Sequence, residues 1–501
     1  MNQYTSYWLY QKYEQRGTQE PIPVYPNTYS VNADGTMPPV VRREYDEQCG
    51  WYCNPPVYQW VDMPITEGFI CEECPDEPGT ETILRWTQTE NTVCSYEDPT
   101  PYESMYFTIV PKTNGNMSAL PSHAAYERLY YSVDNTYEWI SPSYEGISME
   151  VGHKYKFKVV FGDEFDRSAP ICSFIQNTDY FYFDVEGNIM SLGYGDLFED
   201  ITSGLTYSNL FKNCVGLISA KNLILPPLVE NDYSYMFKNC GLLKEPPTLP
   251  NANSNYIGMF ASCVSLEQAP VIPTGALKCS EMFYNCQSLV TVPSLPETSL
   301  SNYCYKDMFR ACTSLKVAPS LPSTTLAIGC YENMFYDCVS LEQVPELPAT
   351  TAVGFCYSHM FVGCTSLERV PVLPATVLGD YCYEGMFSGC TSLAQAPQVL
   401  PATTLARGCY VGMFVGCVSL TQAPELPAPG DAENCYQSMF YGCTNLNYIK
   451  CLHSLGLDDF DNAAHFWTYN VSPTGTFIKA STAQWASGKN GIPYGWTVQD
   501  A

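Results

Sequence analysis

The dipeptide Met-Phe recurs at Met236, Met259, Met282, Met308, Met334, Met360, Met386, Met413 and Met439, at spacings of 23 to 27 residues. A degenerate copy, Leu210-Phe211, precedes the series, and His465-Phe466 follows it. A period of about 20 to 50 residues is the mark of a stack of like supersecondary units. One well-formed unit, Cys330 to Phe355, reads CYENMFYDCVSLEQVPELPATTAVGF. It has one apolar face and cannot fold alone, so stacked copies must complete each other's core. About ten coils at a step of ~4.8 Å would give a slightly curved rod of roughly 50 Å.

Within the unit, Tyr331, Met334 and Phe335 fall at i, i+3 and i+4, which predicts a helix of two turns. Leu341 opens a very short strand, continued by Val344 and Leu347. Pro345 and Pro348 rule out a conventional internal sheet strand and predict a proline-bent arc. The polar ATT stretch then loops to the next unit.

Eighteen of the 24 cysteines lie at or beyond Cys214. One register follows each Phe by three residues: Cys240, Cys263, Cys286, Cys312, Cys338, Cys364, Cys390, Cys417 and Cys443. A second register, Cys304, Cys330, Cys356, Cys382, Cys409 and Cys435, lies eight residues before the first. If the intervening segment is helical, such a pair is separated by about 12 Å of rise. A disulfide needs Cα atoms within about 7 Å. Two ladders of buried free thiols, acting as small hydrophobes, are therefore expected. Metal binding and inter-coil disulfides are the competing readings.

The units resemble BspA-like leucine-rich repeats, as found in gut Bacteroidetes and their phages. The recurring MFxGCxSLxxxPxLPATTL carries the resemblance, together with FDVEGNIMSLGYGDLF (Phe183–Phe198) and NGIPYGWTV (Asn490–Val498). It covers residues 183–501 and implies a leucine-rich-repeat solenoid with an adhesive or ligand-binding role. It transfers no catalytic residue.

The stretch before the repeats predicts β structure. YFTIV (Tyr106–Val110) and YKFKVV (Tyr155–Val160) are strand candidates, and LYYSVDNTYEWIS (Leu129–Ser141) predicts a hairpin turning at Val-Asp-Asn. An immunoglobulin-like β-sandwich spacer is expected there. Residues 1–78 are rich in Pro and turn formers and can hardly bury a core of their own, so they would gain order along a partner. IPVYPNTYS (Ile22–Ser30), DGTMPPVV (Asp34–Val41) and the stretch Cys49–Met63 resemble N-terminal segments of virion structural proteins in crAss-like and related Bacteroides phages. That resemblance implies a segment docking on a virus particle. The expected organisation is multidomain and β-rich with short helices. It comprises a docking segment (1–78), a sandwich (79–184), a cap at the start of the solenoid (185–205), the solenoid (206–466) and a C-terminal cap (467–501).

Cys49, Cys53, Cys71 and Cys74 form two close pairs. Four thiolates at such spacing suit a structural zinc, which would staple a segment poor in core residues. A disulfide pair and ordinary thiols remain alternatives. No other cofactor is expected. Asp163-Glu164-Phe165-Asp166 and Asp458-Asp459-Phe460-Asp461 lack the glycine-punctuated spacing of a calcium loop and predict solvated loops. The histidines are His123, His153, His359, His453 and His465. His359 stands where other copies carry Asn333, Gly385 or Gly412, which predicts a tolerant surface position. No GxSxG, HExxH or phosphate loop occurs, and no enzyme is expected.

A formal net charge of −28, from 52 acidic and 24 basic residues, argues against nucleic acid and anionic membranes as partners. No run of about 18 apolar residues predicts a transmembrane helix. MNQYTSYWLYQKYEQRG lacks the basic and apolar regions of a secretory leader, so assembly in a cytosol is expected. The functional expectation is a phage tail or head fibre-like appendage. It would contact other virion proteins through residues 1–78, bind a host-surface glycan or protein through the solenoid, and form a homo-oligomer that adds weak contacts by avidity. The alternatives are a structural virion decoration or connector, and a bacterial cell-surface adhesin.

Overall fold

The chain was analysed as a computed structural model. The structure describes residues 106–452 and 464–501, except 122–128, 135, 137, 144, 160–171, 195–205, 227–231, 251–253, 277, 296–298 and 427–431. Before residue 106 it describes only short backbone segments: β1 (Thr36–Met37), β2 (Tyr45–Asp46), β3 (Gly50–Trp51), β4 (Met63–Pro64), β5 (Phe69–Glu73) and β6 (Leu84–Gln88). They pair antiparallel as β1 with β4, β2 with β3 and β5 with β6.

The two strand candidates of the pre-repeat region pair with each other. β7 (Phe107–Pro111) lies antiparallel to β11 (Tyr155–Val159), and β8 (Gly115–Pro121), β9 (Leu129–Val133), β10 (Ile147–Met149), β12 (Cys172–Gln176) and β13 (Phe183–Asn188) complete the region. The predicted hairpin is present. Tyr131 and Ile140 exchange backbone bonds at 2.9 and 2.8 Å, and Asp134 turns the chain at φ 54°. The sheets are β14-β13-β7-β11-β9 and β10-β8-β12. Phe107 and Phe157 of the larger sheet each meet Phe174 of the smaller at 5.2 Å between ring centroids, so the two sheets share an aromatic core. One turn of helix, α1 (Ser191–Tyr194), follows β13. Its Ser191 Oγ accepts from Phe107 N at 2.9 Å and donates to Phe157 O at 2.8 Å.

β14 (Leu217–Ile224) belongs to the first coil, yet it pairs parallel with β13 and thereby joins the five-stranded sheet. Phe211 stacks on Phe174 at 5.6 Å, and Phe174 N donates to Leu210 O at 2.8 Å. The two sheets before the repeats and the repeats themselves thus share one buried core, running from Phe107 to Trp496.

Along the rod the arms between arcs are linked by parallel bridges of one or two residues, such as Val317 to Gln343 and Arg369 to Gln395. Among the described residues, β15 (Thr351–Ala352) and β16 (Val377–Leu378) pair over two residues midway along it, and longer pairing returns at the end of the rod. There β17 (Tyr448–Cys451), β18 (Thr476–Lys479) and β19 (Thr497–Asp500) form a parallel sheet. The frequent prolines account for such short pairing, since proline donates no ladder bond.

The short helices expected in each repeat are not formed. In the unit from Gly329 to Cys338, the N–H groups of Tyr331, Asn333, Phe335 and Asp337 donate to Cys356, Ser358, Met360 and Val362 of the next coil, at 2.7 to 3.1 Å. The alternate N–H groups, of Glu332, Met334, Tyr336 and Cys338, close tight turns on residues three back, at 3.1 to 3.2 Å. Gly329, Asn333 and Asp337 have φ of 58°, 56° and 57°, outside any right-handed helix. The segment is a chain of overlapping turns whose donors alternate between closing a turn and reaching the next coil. This satisfies the arc's backbone without a helix.

The apolar spacing nevertheless selects the right core residues. Tyr331, Met334 and Phe335 are at most 1% exposed. Phe211, Phe237, Phe260, Phe283, Phe309, Phe335, Phe361, Phe387, Phe414 and Phe440 stack in one row at 5.4 to 5.7 Å between adjacent rings. Burying each such ring contributes roughly 1.5–3 kcal/mol. A parallel row of tyrosines is broken once, where Cys279 takes the place between Tyr256 and Tyr305.

Candidate binding surface

The cysteines of the repeats are free and buried, as the two-ladder reading expects. They do more than fill space. The thiol of Cys338 donates to Phe309 O in the preceding coil at 3.1 Å, and Cys240, Cys263, Cys286, Cys312, Cys364, Cys390, Cys417 and Cys443 repeat that bond at 2.9 to 3.2 Å. Burial pushes the Cys338 and Cys390 thiols up to about 12. Such thiols stay protonated, so they are poor nucleophiles and poor metal ligands.

Of the zinc candidates, Cys49, Cys53 and Cys74 lie outside the described residues, and only the backbone of Cys71, on β5, is described. The two acidic clusters, His123 and His453 also lie outside them. Among the described residues, no three His, Cys, Asp or Glu side chains converge as a metal site. His153 pairs with Asp134 at 2.8 Å on the surface of the region before the repeats, and His465 packs edge-on against Phe466 at 4.1 Å.

His359 is half-buried, at φ 55°. Its row is varied in residue type but uniform in backbone. Asn209, Tyr235, Gly258, Glu281, Asp307, Asn333, Gly385, Gly412 and Ser438 share both its place and its left-handed backbone. A second left-handed row, two residues after the Phe, holds Asn213, Asn239, Asn285, Asp337, Gly363, Gly389, Gly416 and Gly442. Gly, Asn and Asp are the residues that enter this conformation at least cost, which is the source of the Gly in MFxGC. That recurrence was the signal in the sequence for turns rather than helix.

These turns place the same positions of every coil at the surface. In the His359 row the ring of Tyr235 covers Gly258, and in a third left-handed row, six residues before each Phe, Tyr303 covers Gly329 and Tyr381 covers Gly408. Phe355, 37% exposed, stacks on Tyr381 at 5.4 Å. Arg310 lies between Tyr284 and Tyr336, at 5.9 and 4.3 Å from their ring centres, with Asp307 pairing its guanidinium at 3.1 Å. Toward the C-terminal end, Tyr441 and Tyr469 stack at 5.2 Å with both rings exposed. Beyond them a cleft of about 740 Å³ is lined by Tyr469, Asn470, Ser487, Lys489, Asn490 and Tyr494 among others. The arrangement offers aromatic faces, amides and single charges repeated along a rigid axis, which is equipment for contact.

Residues 199–316, 279–397 and 384–482 match the BspA type leucine rich repeat region, and together they span more than half of the chain. Among curated proteins none matches. The fold search finds the crystal structure of a leucine-rich repeat protein from Bacteroides ovatus, at 15% identity and TM-score 0.33, covering 68% of this chain and 100% of that one. It also finds a leucine rich cell surface protein from Faecalibacterium prausnitzii, at 18% identity and TM-score 0.28, covering 61% of this chain and 92% of that one. On the strength of the repeat match, the chain belongs to the BspA-type leucine-rich repeat family.

Proposed function

We propose that the protein is a non-enzymatic binding protein whose solenoid holds onto a cell surface, carried on a phage particle by residues 1–78. An immunoglobulin-like sandwich and about ten coils would separate the docking segment from the ligand. The observation that carries the binding reading is the recurrence of solvent-facing aromatic, amide and charged positions on a rigid rod, which suits many weak contacts summed by avidity. The particle reading is supported by the buried, free thiols of the repeats, which suit folding in a reducing cytosol before display.

A bacterial cell-surface adhesin is the second reading, favoured by the repeat family. Antibodies against the full chain distinguish the two. Labelling of phage particles and not of uninfected bacteria is expected, and labelling of uninfected cells sinks the particle reading. Purified full-length protein should bind susceptible cells. If it stays on particles but ignores those cells, the solenoid is structural.

A further inference from the structure

In the turn segments of this rod, every second backbone N–H donates to the next coil. In the left-handed row two residues after the Phe, Asp337, Gly363, Gly389, Gly416 and Gly442 donate their N–H to Val362, Ser388, Val415, Tyr441 and Tyr469 of the next coil, at 2.7 to 2.9 Å. Asn470 holds the same place in the last coil, with φ 60°. The neighbouring donors of that coil are capped by the chain that folds back over it. Phe466 N donates to Asn490 Oδ1 at 2.9 Å, and Thr468 N to Lys489 O at 3.3 Å. Asn470 N has no acceptor among the described residues. That donor is left open to solvent at the place where Asn470 lines the terminal cleft.

The rest of the cleft indicates what carries that oxygen. Among the described residues, none that lines it is acidic, although the chain as a whole has a net charge of −28. Lys489 supplies the cleft's charge, its ammonium 4.0 Å from the centre of the Phe466 ring. Tyr494 is 77% exposed, with its ring beside Gly488, and Tyr469 is 44% exposed. Exposed tyrosine faces suit the C–H face of a pyranose, and an open N–H and an ammonium lining one cleft suit a carboxylate.

We propose that the terminal cleft binds an acidic sugar of the uronate class. Its carboxylate accepts from Asn470 N–H and pairs with Lys489, and its ring lies on Tyr494. This deepens the binding role proposed above and rests on it.

The test is calorimetry of the full-length protein with an oligogalacturonate, alongside a neutral oligosaccharide and a short peptide with a free C-terminal carboxylate. Lys489→Gln and Tyr494→Ala should each weaken uronate binding by about tenfold. Asn470→Gly keeps both the left-handed backbone and the N–H, and should retain binding. The Asn470 amide should exchange more slowly with the uronate bound. Equal binding of the neutral sugar or of the peptide, or uronate binding untouched by both variants, overturns the proposal. Adhesion to susceptible cells, measured on the same samples, keeps the two readings apart. Adhesion without uronate binding overturns the acidic-sugar site alone, whereas uronate binding without adhesion overturns the cell-binding role.

Discussion

The ring of Tyr303 lies on the backbone of Gly329 one coil along, so close that a Cβ on Gly329 would stand 2.4 Å from its Cε1. Gly329 also sits at φ 58°. Gly329→Ala should therefore displace the ring and add left-handed strain, lowering stability by about 2 kcal/mol. Gly354, which has ordinary room around its Cα and no positive φ, should accept Ala at much smaller cost. Urea melts of the two variants check the contrast.

The Phe row should behave as a one-dimensional chain. Phe335→Ala removes stacking on both Phe309 and Phe361, and is expected to cost about 3–5 kcal/mol. Hydrogen exchange should show lost protection concentrated in the adjoining coils, with the sandwich amides changed least. Uniform loss along the chain would contradict nearest-neighbour coupling.

The thiol rows predict instability in alkali. Buried in the folded chain, Cys338 and Cys390 titrate at about 12, against an ordinary value of 9.0. Above pH 9 the unfolded chain loses these protons first, so the folded state binds more protons and stability falls as pH rises. The contribution is complete below pH 9.0 and is lost toward about 12. Melting temperature against pH should fall across that window. Thiol reagents at pH 8 should react with the repeat cysteines only after denaturation.

Between β9 and β11, the hydrogen bond from His153 to Asp134 raises the imidazole above its ordinary 6.5 and lowers the carboxyl below 3.8, helped there by Lys154 N–H. The His153 contribution is present below pH 6.5 and fades as pH rises through the raised value. The Asp134 contribution is present above pH 3.8 and fades as pH falls through the lowered one. Proton NMR should place the His153 midpoint above 6.5, and Asp134→Asn should return it there.

Much of this structure is written in the spacing of Met-Phe. The repeat length, the buried Tyr331, Met334 and Phe335 and the free thiols all follow from it, because burial depends on which residues share a face. The backbone that presents them does not follow. A helix and a chain of alternating turns bury the same i, i+3 and i+4 positions, and only the Gly, Asn and Asp at 333, 337, 363 and 389 separate the two. At His359 the varied side chains of the row hid the left-handed φ that unites them. The thiol bonds to Phe carbonyls and the open donor at Asn470 arise between coils, where a single unit's sequence is silent.

The pairing of β13 with β14 has a mechanical consequence. Backbone bonds cross from the five-stranded sheet to the first coil along a shared strand edge, and Phe174 and Phe211 lock the faces beside it. Among the described residues the junction is a strand-to-strand bond, which resists swinging of the rod. A tug at the far tip travels down the stacked coils and loads those strand bonds together, so the rod's aim is set where β13 is held.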